Sequence, residues 1–418
     1  MIASATSSRI DGRRWAVVVL LFLAVLVNYV DRGNLSVVAV PLMKDFGIGA
    51  DSMGILLSAF FFTYTALQIP VGYVVDRFGL KWTYAIAFLI WSVASAAVGM
   101  ASSFGQVLAF RLLLGVGEAV AQPASLAYIR QNFDEDQQGL PSGIYLAGMM
   151  IGPAAGAYFG ALLLDQLTWR QLFIYTGLGG LIWLIPWIWL VPSQKAQSAE
   201  TKHETALRID WHSLVRNPVC WGVTFGAFFY SYYWYFCLTW LPSYLMMEHG
   251  LSFLKMGTYT AVPLMGMAIV ATIAGRVGDR LIAKGRSALN VRRAFVVAGF
   301  AAGSSMLLLL VFHSVNTVFV ILACALLGLG LASANYWALS QVISPRGVIG
   351  RVIGYQNTVS NLAGICAPII TGHLVGETKN FQLAIAFACT ALLLACACFA
   401  LLVTPKGVAK FRLAIGHS

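Results

Sequence analysis

Four ionisable residues lie in stretches otherwise apolar enough for lipid. LVNYVDRGNLSVV, residues 26–38, carries Asp31 and Arg32 side by side, and FRLLLGVGEA, residues 110–119, carries Arg111 and Glu118. A charged group at the centre of a lipid-crossing helix costs about 2.5–3.5 kcal/mol, so four central, unpaired ones would cost on the order of 10 kcal/mol. Such groups persist when they pair, face water or do chemistry. A guanidinium stays protonated and offers a planar fork to a carboxylate, which suits it to holding an anion. A carboxylate in a low-dielectric site is pulled towards neutrality by desolvation and towards charge by a neighbouring guanidinium, so it can be tuned to exchange a proton. Histidine offers no second relay: His203, His212, His249 and His417 lie outside the apolar runs, and His313 and His373 lie near run ends. If protons are carried, Asp31 and Glu118 carry them.

Spacing says how these groups are presented. Arg111 and Glu118 are seven positions apart, so on a helix they differ by about 20° in azimuth and about 10 Å along the axis. They mark one face. Asp31 and Arg32 diverge by roughly 100°, so one can meet a neighbouring helix while the other faces a cavity. Tyr29 precedes them. Tyr64 and Gln68 are four apart and share a helix face.

The elements that must position these groups are membrane helices. The 418 residues are 59% hydrophobic and only 10% charged, against about 25% charged in a soluble domain. Apolar runs of spanning length recur twelve times between residues 15 and 403, with the fourth at 105–129, the seventh at 218–246 and the eleventh at 348–373. The polar start, MIASATSSRIDGRRW, leads straight into the first run, and no signal peptide is expected. The net charge of +11 reports orientation. Lys44, Arg170, Lys255 and Lys379 fall on one side, Arg32 and Arg111 fall inside spans, and the other Lys and Arg fall on the side of the termini. The positive-inside rule makes that side cytoplasmic. No nucleic-acid partner is implied. The seven cysteines all lie within spans and have no metal-site spacing, so no metal or cofactor is expected.

The chain divides and repeats. PSQKAQSAETKHETALRIDWHSLVRNP, residues 192–218, is the longest polar stretch. It separates a six-helix bundle at 1–192 from another at 218–418, with 193–217 as cytoplasmic linker. GYVVDRFGLK (72–81) follows the second span and GRVGDRLIAKGR (275–286) the eighth, while LLLGVGEA (112–119) is echoed by ALLGLGLA (325–332). Two echoes in matching order indicate a duplicated six-helix unit. Asp76 and Arg77, with their copies Asp279 and Arg280, sit at span ends where a charge cluster can lock one gate.

These motifs resemble the major facilitator superfamily. More narrowly, NYVDRGNLSV, FTYTALQIPVG, RLLLGVGEAVAQP, TWRQLFIYTG and LTWLPSYL resemble its anion:cation symporter branch, which includes bacterial galactonate and hexuronate permeases and the sialin and vesicular glutamate transporter group. The likeness covers essentially the whole chain. It implies an all-α membrane protein of twelve transmembrane helices in two pseudo-symmetric bundles, with both termini cytoplasmic and helices 1 and 4 lining a central cavity. By residue, it implies that Arg32 contacts the substrate carboxylate. Asp31 and Glu118 are protonated during transport, and Arg111 couples them. Asn357 matches a substrate-binding asparagine. Where galactonate transporters carry a fifth-helix glutamine this chain has Met149, which puts galactonate itself in question.

The remaining polar candidates are Gln356, Asn357, Ser360 and Asn361 in YQNTVSNLAG (355–364), with Asn357 and Ser360 assigned to substrate. FFYSYYWYF (228–236) reads equally as a cavity wall with an external gate or as an interfacial belt and packing surface, and Tyr230 and Trp234, four apart, are the pair that would face a cavity. The small residues of GMMIGPAAG (148–156) read as close helix packing. The expected activity is proton-coupled import of a monocarboxylate, a hexonate or hexuronate first, by alternating access in a bacterial inner membrane, with the monomer as the working unit. A sodium-coupled or uniporting organic-anion or phosphate carrier is the alternative within transport, and a non-transporting receptor the alternative outside it. No nucleophile–base or metal constellation of an enzyme is present.

Overall fold

The structure, a computed structural model, describes residues 2–134, 137–192, 212, 216–344 and 349–416. Most of the expected linker, 193–211 and 213–215, lies outside the described residues. Everything regular among the described residues is helical. The helices are α1 (Ile2–Val37), α2 (Ala39–Phe46), α3 (Ala50–Phe78), α4 (Leu80–Val98), α5 (Phe104–Glu118), α6 (Ala121–Asn132), α7 (Gly139–Leu164), α8 (Trp169–Gly180) and α9 (Leu184–Leu190). After the linker come α10 (Pro218–Met247), α11 (Phe253–Ala283), α12 (Ala288–Gly303), α13 (Val315–Ile343), α14 (Ile349–Thr378), α15 (Gln382–Ala397) and α16 (Pro405–Gly416).

Eleven spans among the described residues are long and apolar enough to cross a membrane. The remaining expected span, the seventh, is α10; it is 30 residues long and carries no Asp, Glu, Lys or Arg. Its run of Tyr and Trp keeps its mean hydropathy below that of the other eleven. Aromatic side chains with polar tips count little on such a scale even where they are buried. The chain is an integral membrane protein.

The helices gather into two units: residues 1–201 with 251–258, and residues 202–250 with 259–418. In lipid, helices do not gain by hiding apolar faces from one another, so close backbone approach must hold them. Glycines supply it. On α7, Gly148, Gly152 and Gly156 recur every four residues and press on α1: a Cβ on Gly152 would stand 2.6 Å from Tyr29 Cβ, and one on Gly156 would stand 3.1 Å from Val30 Cα. The GMMIGPAAG segment is thus a packing seam. On α5, Gly115 meets α3 at Phe60 and Tyr64, and Gly117 meets α4, where a Cβ would lie 2.7 Å from Ala87 O.

The echoed glycines of the second unit also enter their neighbours, in the opposite order. Gly328 of α13 faces α12 at Ala302, and Gly330 faces α11 at Met267. The two loops that carry the Asp-Arg motifs each turn on a glycine with positive φ, Gly79 at 80° and Gly285 at 87°, a conformation that only glycine adopts without strain.

An aromatic stack stiffens the first unit. Phe88 lies 4.2 Å from Trp183, Trp183 lies 4.8 Å from Trp187, and Tyr84 packs on both tryptophans. The indoles of Trp183 and Trp187 donate to Leu20 O and Lys81 O at 2.7 and 3.0 Å. In the second unit, α10 is tied to α14 by Trp240 Nε1 on Pro368 O at 3.1 Å, and to α12 by Tyr233 OH on Gly303 O at 2.8 Å.

Candidate functional site

The four ionisable residues that the sequence places inside apolar spans all fall in the first unit, and the fold brings them together. α1 carries Asp31 and Arg32, the glycine-pinned α5 carries Arg111 and Glu118, and α3 and α4 close the sides. Arg32 turns to α5, where its Nε meets Glu118 Oε2 at 2.6 Å; the Arg32 side chain keeps 18% exposure and that of Glu118 none. Three rings surround the guanidinium. Its carbon is 4.5 Å from the Phe60 centroid, 4.7 Å from Tyr64 and 5.2 Å from Tyr29. Cation–π attraction strengthens where the cation is desolvated, so the rings steady Arg32 while leaving part of it open.

Asp31 points the other way, as its azimuth requires. Its Oδ1 accepts a 2.7 Å hydrogen bond from Ser95 of α4. Arg111 Nη1 reaches the Asp31 main-chain carbonyl at 3.4 Å, and the Arg111 guanidinium carbon lies 5.9 Å from the Phe60 ring. The structure pairs Glu118 with Arg32 and gives Asp31 a hydroxyl, because Arg111 is drawn to the backbone of α1 rather than to its side chain. Asp31, Arg111 and Glu118 are at most 2% exposed. Even so, Asp31 Oδ2 and Arg111 Nε have no hydrogen-bond partner among the described residues, and Glu118 Oε1 lacks one of normal geometry, although the Asn28 side chain bears on the same carboxylate. A buried polar atom without a partner is costly, and each of these atoms has capacity for one more proton or acceptor.

Ser95 and Phe60 went unrecognised in the sequence. Serine and phenylalanine are ordinary in membrane spans, and only their contacts mark them. Tyr64 is buried and Tyr29 half-buried; Gln68, one turn from Tyr64, is half-buried on the same helix. Met149 is half-buried on α7, next to Gly148 of the packing seam.

The polar residues of the second unit are neutral and tied to one another. On α14, Asn361 accepts from Tyr235 OH at 3.2 Å, and Gln356 Nε2 donates to Tyr336 OH at 3.5 Å. Asn357 is half-buried and Ser360 is 8% exposed. Tyr230 stacks on Phe300 and Tyr336 with centroids 5.0 and 4.9 Å away, so it is built into the core of its unit, while Trp234 is half-buried.

Of the motif charges, Asp279 pairs with Arg292 of α12. Arg292 Nη1 also donates to Asn335 Oδ1 of α13 at 2.8 Å, which ties α11, α12 and α13 together. A Cβ on Gly278 would sit 2.7 Å from Arg292 Nη1, so the motif's glycine makes room for the partner. Arg292 and Asn335 were not singled out in the sequence; an asparagine in the apolar tenth span was the available signal. Arg280 and Arg77 are exposed, Arg77 with its guanidinium carbon 5.6 Å from the Phe78 ring. Asp76 belongs to α3, and its side chain lies outside the described residues.

Comparison with known proteins returns membrane transporters. The family model of the Major Facilitator Superfamily matches residues 21–368. The chain is 30% identical over 384 residues to the D-galactonate transporter of Escherichia coli O6:H1, covering 87% of this chain and 89% of that one. It is 29% identical over 393 residues to the probable L-galactonate transporter of Escherichia coli K12, covering 91% and 87%. Among solved structures it is similar to a bacterial homologue of the human lysosomal transporter Spinster, inward-facing and unoccupied. That likeness has a TM-score of 0.78 at 18% identity over 96% of this chain and 98% of the other; it speaks to fold alone.

Proposed function

This chain belongs to the Major Facilitator Superfamily, and on that premise we propose that it imports an organic monocarboxylate together with protons across the cytoplasmic membrane of a bacterium. A sugar acid, hexonate or hexuronate, is the substrate class that the galactonate transporters among its relatives favour. The observation that carries this reading is the 2.6 Å pair between Arg32 and Glu118.

One guanidinium in a low-dielectric site is neutralised by one carboxylate. A substrate carboxylate that takes Arg32 displaces Glu118, and Glu118, left buried, is best accommodated by a proton. The two alternatives are both costly. Substrate without proton places two carboxylates on one arginine; proton without substrate leaves Arg32 buried and unpaired, a defect of about 3–5 kcal/mol. Binding of anion and proton are therefore linked, and linkage is reciprocal. In this scheme Asp31 is the second protonation site, and Arg111 couples the two through its hold on α1. Tyr29, Tyr64 and Gln68 in the first unit and Asn357 and Ser360 in the second recognise hydroxyls. Asp76, Arg77, Asp279 and Arg280 act at the gates, with Arg292 as partner of Asp279. The working unit is the monomer, with both termini in the cytoplasm.

The test is uptake of labelled galactonate and glucuronate into proteoliposomes in sodium-free buffer, with and without an inward proton gradient. Gradient-driven accumulation of a sugar acid is expected. Glu118→Gln is expected to exchange substrate across the membrane and to lose accumulation. Accumulation by Glu118→Gln at the wild-type rate would remove the coupling role, and accumulation that requires sodium would replace the proton.

A further inference from the structure

Asp31 is held by a hydroxyl from another helix, which is not how serines in this chain usually spend their hydrogen. Ser125, Ser304, Ser340 and Ser344 each donate to the carbonyl four residues back on their own stretch of helix, at 2.6, 2.9, 3.1 and 2.8 Å. Ser95 of α4 instead donates across to Asp31 Oδ1 of α1 at 2.7 Å, and both residues are 1% exposed. A third helix braces the placement. On α8, Thr176 Oγ1 accepts from Asn34 Nδ2 of α1 at 2.9 Å. The next residue, Gly177, lies against α4, where a Cβ would stand 2.4 Å from Ala96 N and 2.7 Å from Ser92 O. Adjacent residues of α8 thus set the register of α1 against α4, close to Asp31 on one helix and to Ser95 on the other.

No charged group takes the place of that hydroxyl. Arg32 turns to Glu118, and Arg111 reaches the main-chain carbonyl of Asp31. Tyr29, two residues away, lies against Arg32. Of the helices packed on α1, α7 and α9 carry no charged residue, and α6 carries only Arg130, in its last turn. The charge on α8 is Arg170, which pairs with Asp45 of α2, where Lys44 also lies. On α4 the charge is Lys81, in the first turn. The first unit contains neither histidine nor cysteine. Asp31 Oδ1 is therefore committed to Ser95, while Oδ2 has no partner among the described residues.

We propose that Ser95 is the positioning residue of the second protonation site: its hydroxyl orients the Asp31 carboxyl away from the Arg32–Glu118 pair and leaves Oδ2 as the atom that takes the proton. This rests on the proton-coupled reading above. With Asp31 charged, the bond to Oδ1 is charge-assisted and about twice as strong as a neutral one. When a proton from water forms the O–H bond at Oδ2, Oδ1 becomes the carbonyl oxygen of a neutral acid. It still accepts from Ser95, which keeps its own hydrogen throughout. The contact weakens without breaking, so Ser95 favours release of the proton while holding the side chain in place.

The test is the pH dependence of exchange in proteoliposomes, with labelled galactonate or glucuronate, whichever the wild-type protein carries. Exchange is expected to fall at alkaline pH as Asp31 loses its proton. Ser95→Ala removes a donor that favours the carboxylate, so Asp31 keeps its proton to higher pH. The alkaline limb should move up by about one pH unit, a tenfold change in proton affinity, as a lost hydrogen bond to a charged group implies. Ser95→Thr keeps the hydroxyl and should hold the limb near its wild-type position. Ser95→Cys, close in size and a weak donor, should shift it as alanine does and serves if the alanine variant fails to fold. In an Asp31→Asn background, Ser95→Ala should move nothing. A limb that stays in place while the rate falls at every pH would overturn the assignment, since that marks a structural role. So would an equal shift in Ser95→Thr, or a shift that survives Asp31→Asn. A wild-type protein whose exchange has no alkaline limb would instead remove the proton-coupled premise, and the assignment with it.

Discussion

The two units bury polar groups of opposite character. The first holds two arginines and two carboxylates at mid-span, at least three of them almost fully buried, and leaves three of their atoms without a hydrogen bond of normal geometry. The second keeps its charged cluster, Asp279 and Arg292, at helix ends and fills its interior with Tyr, Gln, Asn and Ser. The matching stretches show where they part: LLLGVGEA ends its glycine pair with Glu118, and ALLGLGLA has Leu331 there. Both stretches use their glycines to draw three helices together. Only one puts a charge at the meeting point. Helix packing and buried charge are therefore separable, and the first unit is the one on which the proposed proton and anion chemistry rests.

The largest effect should come from Arg32→Ala. It removes the proposed anchor and leaves Glu118 buried without its partner. Truncating one member of a buried pair costs about 3–5 kcal/mol, so substrate binding by the purified protein should weaken by at least ~100-fold. Binding is the measurement, by thermal shift or radioligand, because transport would also fail for lesser reasons. Arg292→Ala in the second unit is the control. If it weakens binding as much, the division between the units is wrong.

Gly117→Ala and Gly330→Ala come next. A Cβ on Gly117 would lie 2.7 Å from Ala87 O and 2.8 Å from Trp91 N; one on Gly330 would lie 2.6 Å from Met267 O. Both clash with backbone, so helices must separate, and overpacking of this kind costs about 1–3 kcal/mol. Similar losses of thermal stability are expected in detergent. Gly117→Ala should also weaken substrate binding, because it moves the residue before Glu118, whereas Gly330→Ala should not. Equal binding in the two would show that the pair tolerates displacement of α5.

Arg292→Ala itself should have a smaller effect on turnover. It frees Asp279 and Asn335, but Asp279 is an exposed partner, with 68% of its side chain in solvent. Water replaces the contact at Asp279, where exposed pairs contribute only about 0–1 kcal/mol, while Asn335, with no exposure, loses its buried donor and some thermal stability goes with it. Substrate affinity should be unchanged and the maximal rate of uptake reduced a few-fold at most. A change in affinity without a change in rate would move Arg292 out of the gate.

What the sequence disclosed follows from contrast. Asp31, Arg32, Arg111 and Glu118 stand out because a charge in an apolar span has few innocent explanations, and the spacing of Arg111 and Glu118 placed them on one face. Ser95 and Phe60 touch the same cluster and gave no signal, since each is common in membrane helices and its role is a contact with a residue on another helix, Asp31 and Arg32 respectively. The aromatic run of α10 was legible as special and ambiguous in direction. Three-dimensional packing turned Tyr230 into its own unit, against Phe300 and Tyr336.

The smallest expected effect bears most finely on the comparison. If the first unit supplies charge recognition and the second only hydroxyl recognition, Asn357→Ala removes one neutral hydrogen bond to substrate. Such bonds contribute about 0.5–1.5 kcal/mol net, so KM for a hexonate should rise by roughly tenfold at most, with the maximal rate and the proton requirement intact. The control is a small monocarboxylate without hydroxyls. Its uptake should be as weak in the variant as in wild type, because Asn357 then has nothing to bind. Gln356→Ala should behave differently: Gln356 is fully buried and engaged with Tyr336, so its loss should lower stability without regard to substrate. Should Asn357→Ala instead abolish accumulation while exchange persists, the neutral unit would share in coupling, and the line drawn between the two halves would have to be redrawn through the substrate itself.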